Sequence, residues 1–208
     1  MKQTKMTSRK TPLQSRSRER VELIIASAEK LLKEIDLSKI TTSRIAEEAC
    51  IPVGSIYQYF KDRDEILLAL GEKVLNEEDQ KIATVFEEMA ADTHWRTLVA
   101  GVLATFVELV SMDQIHYRLD IALSDNQEWQ AANLASEERM VVLFANYYLF
   151  AEKGYRKDQA LAISRVIVVV VSAIVNRSKL HCWQGDLGAL LREAERMVTA
   201  YLSTVFGD

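Results

Sequence analysis

The 208 residues, 49% hydrophobic and 27% charged, suffice for one large domain or two small ones and have the balance of a soluble globular protein. Two cysteines are too few for a disulfide framework, and the scarcity of strand-like alternation excludes a mainly β chain. The net charge of −4 divides unevenly, with 13 Lys+Arg against 8 Asp+Glu in residues 1–63 (+5) and 13 against 22 in residues 64–208 (−9), as if a basic end meets a polyanion and an acidic body does not.

In chain order, residues 1–15 read as a flexible basic tail. Lys2, Lys5, Arg9 and Lys10 lead into no apolar core, which argues against a signal peptide and, with Cys50 and Cys182 as reduced thiols, for the cytoplasm. A first helix follows from the recurrence of Val21, Ile24, Ile25, Ala28, Leu31, Leu32 and Ile35. It ends near Asp36, a residue that tolerates the left-handed conformation of many helix exits. Thr41 and Thr42 are N-cap candidates for a second helix that turns Ile45, Ala46 and Ala49 inward. "CIPV" is a turn, with Pro52 suited to the first position of the next helix.

In that short helix the 100° step puts Val53, Ile56 and Phe60 on one arc with Tyr57 at its edge. Gly54, Ser55, Gln58 and Tyr59 fall on the other side. Asp62 and Glu65 form a capping pattern for a long helix running to about Met89. Four or five further helices are predicted, at roughly 94–111, 114–123, 128–153, 157–179 and 186–206, with Gly154 and Gly185 at helix ends. The run "VIVVVVSAIV" at 166–175 is about half the roughly 20 residues that span a bilayer, so it reads as a buried helix with no membrane partner. The organisation is therefore all-α, with a tail (1–15), a small basic domain (16–62) and a larger acidic one (63–208).

A helix, a tight turn and a second short helix make a helix-turn-helix, whose second helix fits a major groove about 12 Å wide. Gly54 lets backbone approach base edges, and Ser55 and Gln58 can donate and accept there. Tyr57 and Tyr59 can reach phosphates on either side, with Lys61 and Arg63 adding charge. Thr42 and Ser43 can hold a phosphate oxygen at a helix start. Arg16, Arg18 and Arg20 read either as a solvated tail or as an arm that follows the minor groove and adds salt-dependent affinity, the adjacent helix-turn-helix favouring the arm.

From Arg20 to Leu70, and most closely in "ITTSRIAEEACIPVGSIYQYFKDRDEIL", the chain resembles the DNA-binding domain of TetR-type transcriptional regulators. The resemblance implies phosphate contacts at Thr42 and Ser43 and base proximity at Val53, Gly54 and Ser55, with Gln58 joining them. It implies backbone clamping at Tyr57, Tyr59 and Arg63. Two positions depart from the family, which usually has glycine where Asp36 and Cys50 stand; Cys50 is the less comfortable if φ there is positive. The resemblance also implies an all-helical second domain that binds a small-molecule effector and pairs its last two helices across a homodimer. Residues expected on that dimer face are Ile163, Val166, Val170, Ile174, Leu190, Leu191, Met197 and Tyr201. Candidates for lining the effector cavity are Trp95, Phe106, His116, Tyr117, Trp129, Tyr147 and Tyr148.

His94, His116 and His181 show no metal spacing, and no phosphate loop or dinucleotide fingerprint occurs, so neither metal nor cofactor is expected. Glu137 and Glu138 read as a solvated face. The expected function is a repressor that binds a pseudo-palindromic double-stranded operator as a homodimer and responds to a small molecule. Its rivals are a helical-domain hydrolase with an accessory DNA-binding segment and a non-specific architectural DNA protein.

Overall fold

A computed structural model describes residues 12–88, 94–112, 115–178 and 186–207; His181 and the expected reduced thiol of Cys182, most of the expected basic tail and the expected helix end at Gly185 lie outside them. The described residues form two compact units, 1–70 and 71–208. Helices are the only regular elements among them: α1 (Pro12–Glu34), α2 (Thr42–Glu48), α3 (Val53–Ile56), α4 (Arg63–Glu88), α5 (Trp95–Met112), α6 (Ile115–Ala122), α7 (Gln127–Ala145), α8 (Tyr148–Glu152), α9 (Lys157–Ser178) and α10 (Leu187–Phe206). None is long and apolar enough to cross a membrane.

In the first unit the predicted apolar stripe of α1 is the core. Ile24, Ala28, Leu31 and Leu32 pack with Ile45, Ala46 and Ala49 of α2, Ile56 of α3, and Ile66, Leu67 and Leu70 at the start of α4. Helix α1 begins at Pro12, inside the stretch expected as tail, because proline suits a helix's first turn. It ends at Glu34 without a left-handed residue. Asp36 is extended (φ −62°, ψ 144°) and precedes a 3-10 turn over Leu37–Lys39.

The left-handed residue lies at the end of α2. Ile51 donates its N–H to the carbonyl of Ala46 and Cys50 to that of Glu47, both at 3.0 Å, which is the Schellman pattern. That pattern demands positive φ at its C′ position, and Cys50 has φ +53°. Helix α8 ends the same way, Tyr155 donating to Phe150 and Gly154 to Ala151, with Gly154 at φ +78° where Cys50 stands in α2.

The second unit is a helical bundle with two apolar clusters. One gathers Trp95, Val99, Phe150, Ile167, Leu202 and Phe206; the other gathers Ile82, Leu98, Val102, Met140, Val141 and Val168. The helix expected over 128–153 is two: Asn146 caps α7 and Tyr147, extended, starts α8. Helix α9 is covered on one side only. Val168 and Val171 are buried, but Val166 and Val169 are exposed by half.

Candidate nucleic-acid interface and ligand cavities

Helix α2 starts with a side-chain cap: Thr41 is extended and its hydroxyl accepts from the Arg44 N–H at 3.1 Å. The cap fixes where Thr42 and Ser43 emerge, half-buried and exposed respectively. Helix α3 is a single turn. Pro52 is its N-cap rather than its first helical residue, and the Ser55 N–H closes onto the Pro52 carbonyl at 2.8 Å. Tyr57 is the C-cap, and Gln58 and Tyr59 lie in the turn that follows.

Only part of the expected inward arc of α3 is inward. Ile56 and Phe60 are buried, but Val53 is 40% exposed and joins Gly54, Tyr57 and Gln58 on the open side. Tyr57 is 56% exposed. A Cβ built on Gly54 would touch nothing within 4 Å, so no internal packing calls for glycine there. The structure joins two of the predicted residues directly, since the hydroxyls of Thr42 and Tyr57 lie 3.2 Å apart. That hydrogen bond ties the first turn of α2 to the end of α3.

The cations around this face are held in local pairs. Arg63 meets Asp64 at 2.7 Å and Lys61 meets Asp62 at 3.7 Å. Arg44, which the sequence reading passed over, is exposed beside Ser43 and meets Glu47 at 2.6 Å. Its place in "TTSR" at a helix start was the available signal. Such exposed pairs contribute about 0–1 kcal/mol each, so exchange for a phosphate is cheap. Arg16 and Arg18 are exposed along α1. Behind the face, Lys30 bridges α1 to Glu48 of α2 at 2.6 Å, and that carboxylate holds the ammonium above the usual lysine value. Glu65 braces the α4 start by accepting from the Lys61 N–H, while Asp62 accepts from the Glu65 N–H at 2.9 Å.

The second unit holds a cavity of about 100 Å³ walled by α4, α5, α6, α7 and α9. Its apolar side is Leu75, Ile82, Phe106, Leu109, Met140 and Val168. Its polar side is Glu78, Asp79, His116, Asn133, Ser136 and Glu137, with Ser172. His116 Nδ1 lies 2.8 Å from Glu78, and its Nε2 lies 3.0 Å from the Asn133 amide oxygen. Asp79 accepts from Ser136 at 2.6 Å and from Arg139 at 2.7 Å. Glu137 and Glu138 were expected to share a solvated face. The structure separates them: Glu138 is exposed and pairs with Arg165 at 2.7 Å, whereas Glu137 lines the cavity. A periodicity reading cannot distinguish the two without knowing which side of α7 meets α9.

A second cavity of about 30 Å³ is walled by aromatic and aliphatic side chains, among them Phe86, Trp95, Phe144, Tyr147 and Phe206, with the buried hydroxyl of Ser164. Burial first, and Tyr148 beside it second, push the Tyr147 hydroxyl far above the usual phenol range. Of the expected lining residues, Phe106 and His116 face the first cavity, and Trp95 and Tyr147 the second. Trp129 stands behind His116, ring edge to ring face at 5.6 Å, and its indole N–H donates to Asp120 at 3.0 Å. Tyr117 and Tyr148 line neither cavity; Tyr148 packs against Tyr147 at 4.8 Å.

On α9 and α10, Val166, Met197 and Tyr201 of the expected dimer face are exposed, and Val169 joins them. Ile163, Val170, Ile174 and Leu190 are half-buried. Leu191 is 6% exposed and faces the core, since the stripe of α10 is wide enough to serve both sides.

Comparison with known proteins adds three findings. The description "Bacterial regulatory proteins, tetR family" matches residues 24–70. The HTH-type transcriptional regulator EthR of Mycobacterium tuberculosis is 33% identical over 86 residues, 40% of this chain, and the match spans 40% of that relative's length. Two solved structures share the fold: a TetR-family transcriptional regulator from Streptomyces coelicolor (TM-score 0.62, 22% identity, covering 89% of this chain and 99% of that one) and FadR from Bacillus subtilis in complex with stearoyl-CoA (TM-score 0.62, 18% identity, covering 85% and 96%).

Proposed function

This chain belongs, by its N-terminal domain, to the TetR family of bacterial regulatory proteins, and from that premise we propose that it is a homodimeric transcriptional repressor whose operator affinity is set by a small molecule. The observation that carries the reading is the open side of α3. Val53, Gly54, Tyr57 and Gln58 are exposed together over a buried Ile56, with no internal role for the missing side chain of Gly54. Exposure of that kind suits a helix turn laid in a major groove, where Gln58 pairs with adenine and Val53 meets a thymine methyl. Thr42, Ser43, Tyr57 and Tyr59 then hold phosphates on either side, and Lys61, Arg63, Arg16 and Arg18 add charge.

A dimer sets two such turns about 34 Å apart on a pseudo-palindrome. The uncovered apolar side of α9 and α10, with Val166, Val169, Met197 and Tyr201, supports pairing there, because exposed valines in the middle of a helix call for cover. The small molecule is assigned to the first cavity, the one with both an apolar wall and convergent polar groups. A coupling of about 1–3 kcal/mol between the sites changes operator occupancy five- to 150-fold. The acidic lining disfavours an anionic ligand such as the stearoyl-CoA held by the Bacillus subtilis relative. The hydrolase alternative finds no support in a family of regulators.

The test is a gel-shift titration of the full chain on a duplex enriched from random sequence. Tyr57→Ala should lower affinity for every duplex alike, and Gln58→Ala should change which duplex is preferred. Unchanged affinity for Tyr57→Ala removes the docking scheme.

A further inference from the structure

The two cavities of the second unit lie in register along four helices. Helix α4 gives Ile82 to the first cavity and Phe86, one turn on, to the second. Helix α7 does the same with Met140 and Phe144, and α9, running the other way, with Val168 and Ser164. On α5 the first cavity takes Phe106 and Leu109 and the second takes Leu98 and Val99. The order never reverses on any of the four helices. The cavities are therefore the two ends of one column, and its span from Leu75 to Phe86 along α4 is about 16 Å at 1.5 Å per residue.

The ends differ in chemistry. At the first end Glu78 is engaged by His116, and Asp79 by Ser136 and Arg139. Glu137 has no cation or donor beside it among the described residues, so it is the carboxylate left to meet a ligand. At the other end the lining is aromatic and aliphatic, and the polar groups its residues carry are the Tyr147 hydroxyl, the Trp95 indole N–H and the Ser164 hydroxyl. Ser164 is 0% exposed and its hydroxyl has no hydrogen-bond partner. Thr105 and Ser203, also on helices of this unit, turn their hydroxyls back to the carbonyl four residues earlier; Ser164 does not. A buried hydroxyl left unbonded is costly, and Ser164 lines this cavity without bonding to Tyr147 or Trp95.

We propose that the two cavities form one binding site for an elongated amphiphilic organic amine, with its ammonium at Glu137, its apolar chain along the Met140–Phe144 side of the column, and a terminal hydrogen-bonding group at Ser164. This rests on reading the second unit as effector-binding. The cavities of about 100 and 30 Å³ are smaller than the roughly 300–1,000 Å³ of filled sites, so the ligand opens the partition between them. Met140, an unbranched thioether with three rotatable bonds, is the side chain suited to give way.

Calorimetric titration of the full chain with octylammonium, octanoate, octanol, butylammonium and aminooctanol tests this. Octylammonium should bind at least tenfold more tightly than octanoate, and shortening the chain to butylammonium should weaken binding by about fourfold per methylene. Glu137→Gln should remove the preference for the amine and leave octanol binding unchanged. Ser164→Ala should weaken aminooctanol by about two- to tenfold and leave octylammonium as it was. Octanoate binding as well as octylammonium, no gain from four carbons to eight, or indifference to Glu137→Gln overturns the proposal, whatever the chain does on DNA. If octylammonium binds as stated but leaves operator affinity unchanged in a gel shift, the site stands and its role as effector site falls.

Discussion

Gly71→Ala measures how tightly the second unit is packed around its polar cavity. Alanine is the better helix former by about 0.8–1.0 kcal/mol, so at an open helical position this change should stabilise. Here the added Cβ would sit 2.3 Å from Trp129 Cζ3, 2.8 Å from Cε3 and 3.0 Å from Cη2. Comfortable carbon contacts lie at about 3.5–4.0 Å, so the indole must retreat by about 1 Å or more. Trp129 is 2% exposed, donates to Asp120 and packs on His116, so the retreat strains a hydrogen bond as well as the packing. Overpacking costs about 1–3 kcal/mol and the weakened bond up to about 1 more, against the helix gain. The net is a loss of up to about 3 kcal/mol, which at about 2–4 °C per kcal/mol for a chain of this size lowers the melting temperature by up to about 12 °C. Thermal melts followed by circular dichroism read this directly. In a Trp129→Phe background, whose smaller ring leaves room, Gly71→Ala should cost less. A Gly71→Ala protein that melts above the parent temperature, as an open helical position would give, refutes the packing argument.

Cys50→Gly should stabilise the chain by up to about 1 kcal/mol in chemical denaturation, because it relieves a left-handed cysteine in a motif that α8 builds with Gly154. Cys50→Val, a branched residue at the same φ, should lower stability in the same assay. Val166→Asp should convert the proposed dimer to monomer in sedimentation without loss of helix content, since this valine is 53% exposed within one chain. Thr42→Val should weaken DNA binding by a smaller factor than Tyr57→Ala in a gel shift, because it removes the partner that orients the phenol but keeps the phenol.

The first unit was the more legible part of the sequence, for a physical reason. Its signals are local: a threonine cap, an apolar stripe of 3.6-residue period, and a capping pair at Asp62 and Glu65. Each fixes backbone within four or five residues. Where the reading of this unit missed, the cause was a choice among local alternatives. Asp36 and Cys50 both stand where glycine is usual, and only the Schellman bonds from Cys50 and Ile51 decide that Cys50 is the left-handed one. Val53 followed the arc of an ideal helix, but a one-turn helix has no second turn to bury it.

The second unit was legible as helices but not as a site. Its cavities depend on which sides of α4, α5, α7 and α9 meet, a matter of tertiary packing that spacing along one helix does not carry. That is why Glu137 read as surface and Ser164 attracted no notice. The break at Asn146 was hidden for the same reason, since no glycine or proline marks it.

The central claim is that the open side of α3 reads a duplex through its major groove. Competition binding at fixed salt, with the enriched duplex against one of the same length and scrambled sequence, tests it most directly. The account predicts a preference of about a thousandfold or more for a two-fold-symmetric site, largely lost when Gln58 and Val53 are both replaced by alanine. Equal affinity for both duplexes, or a preference that survives the double replacement, contradicts it.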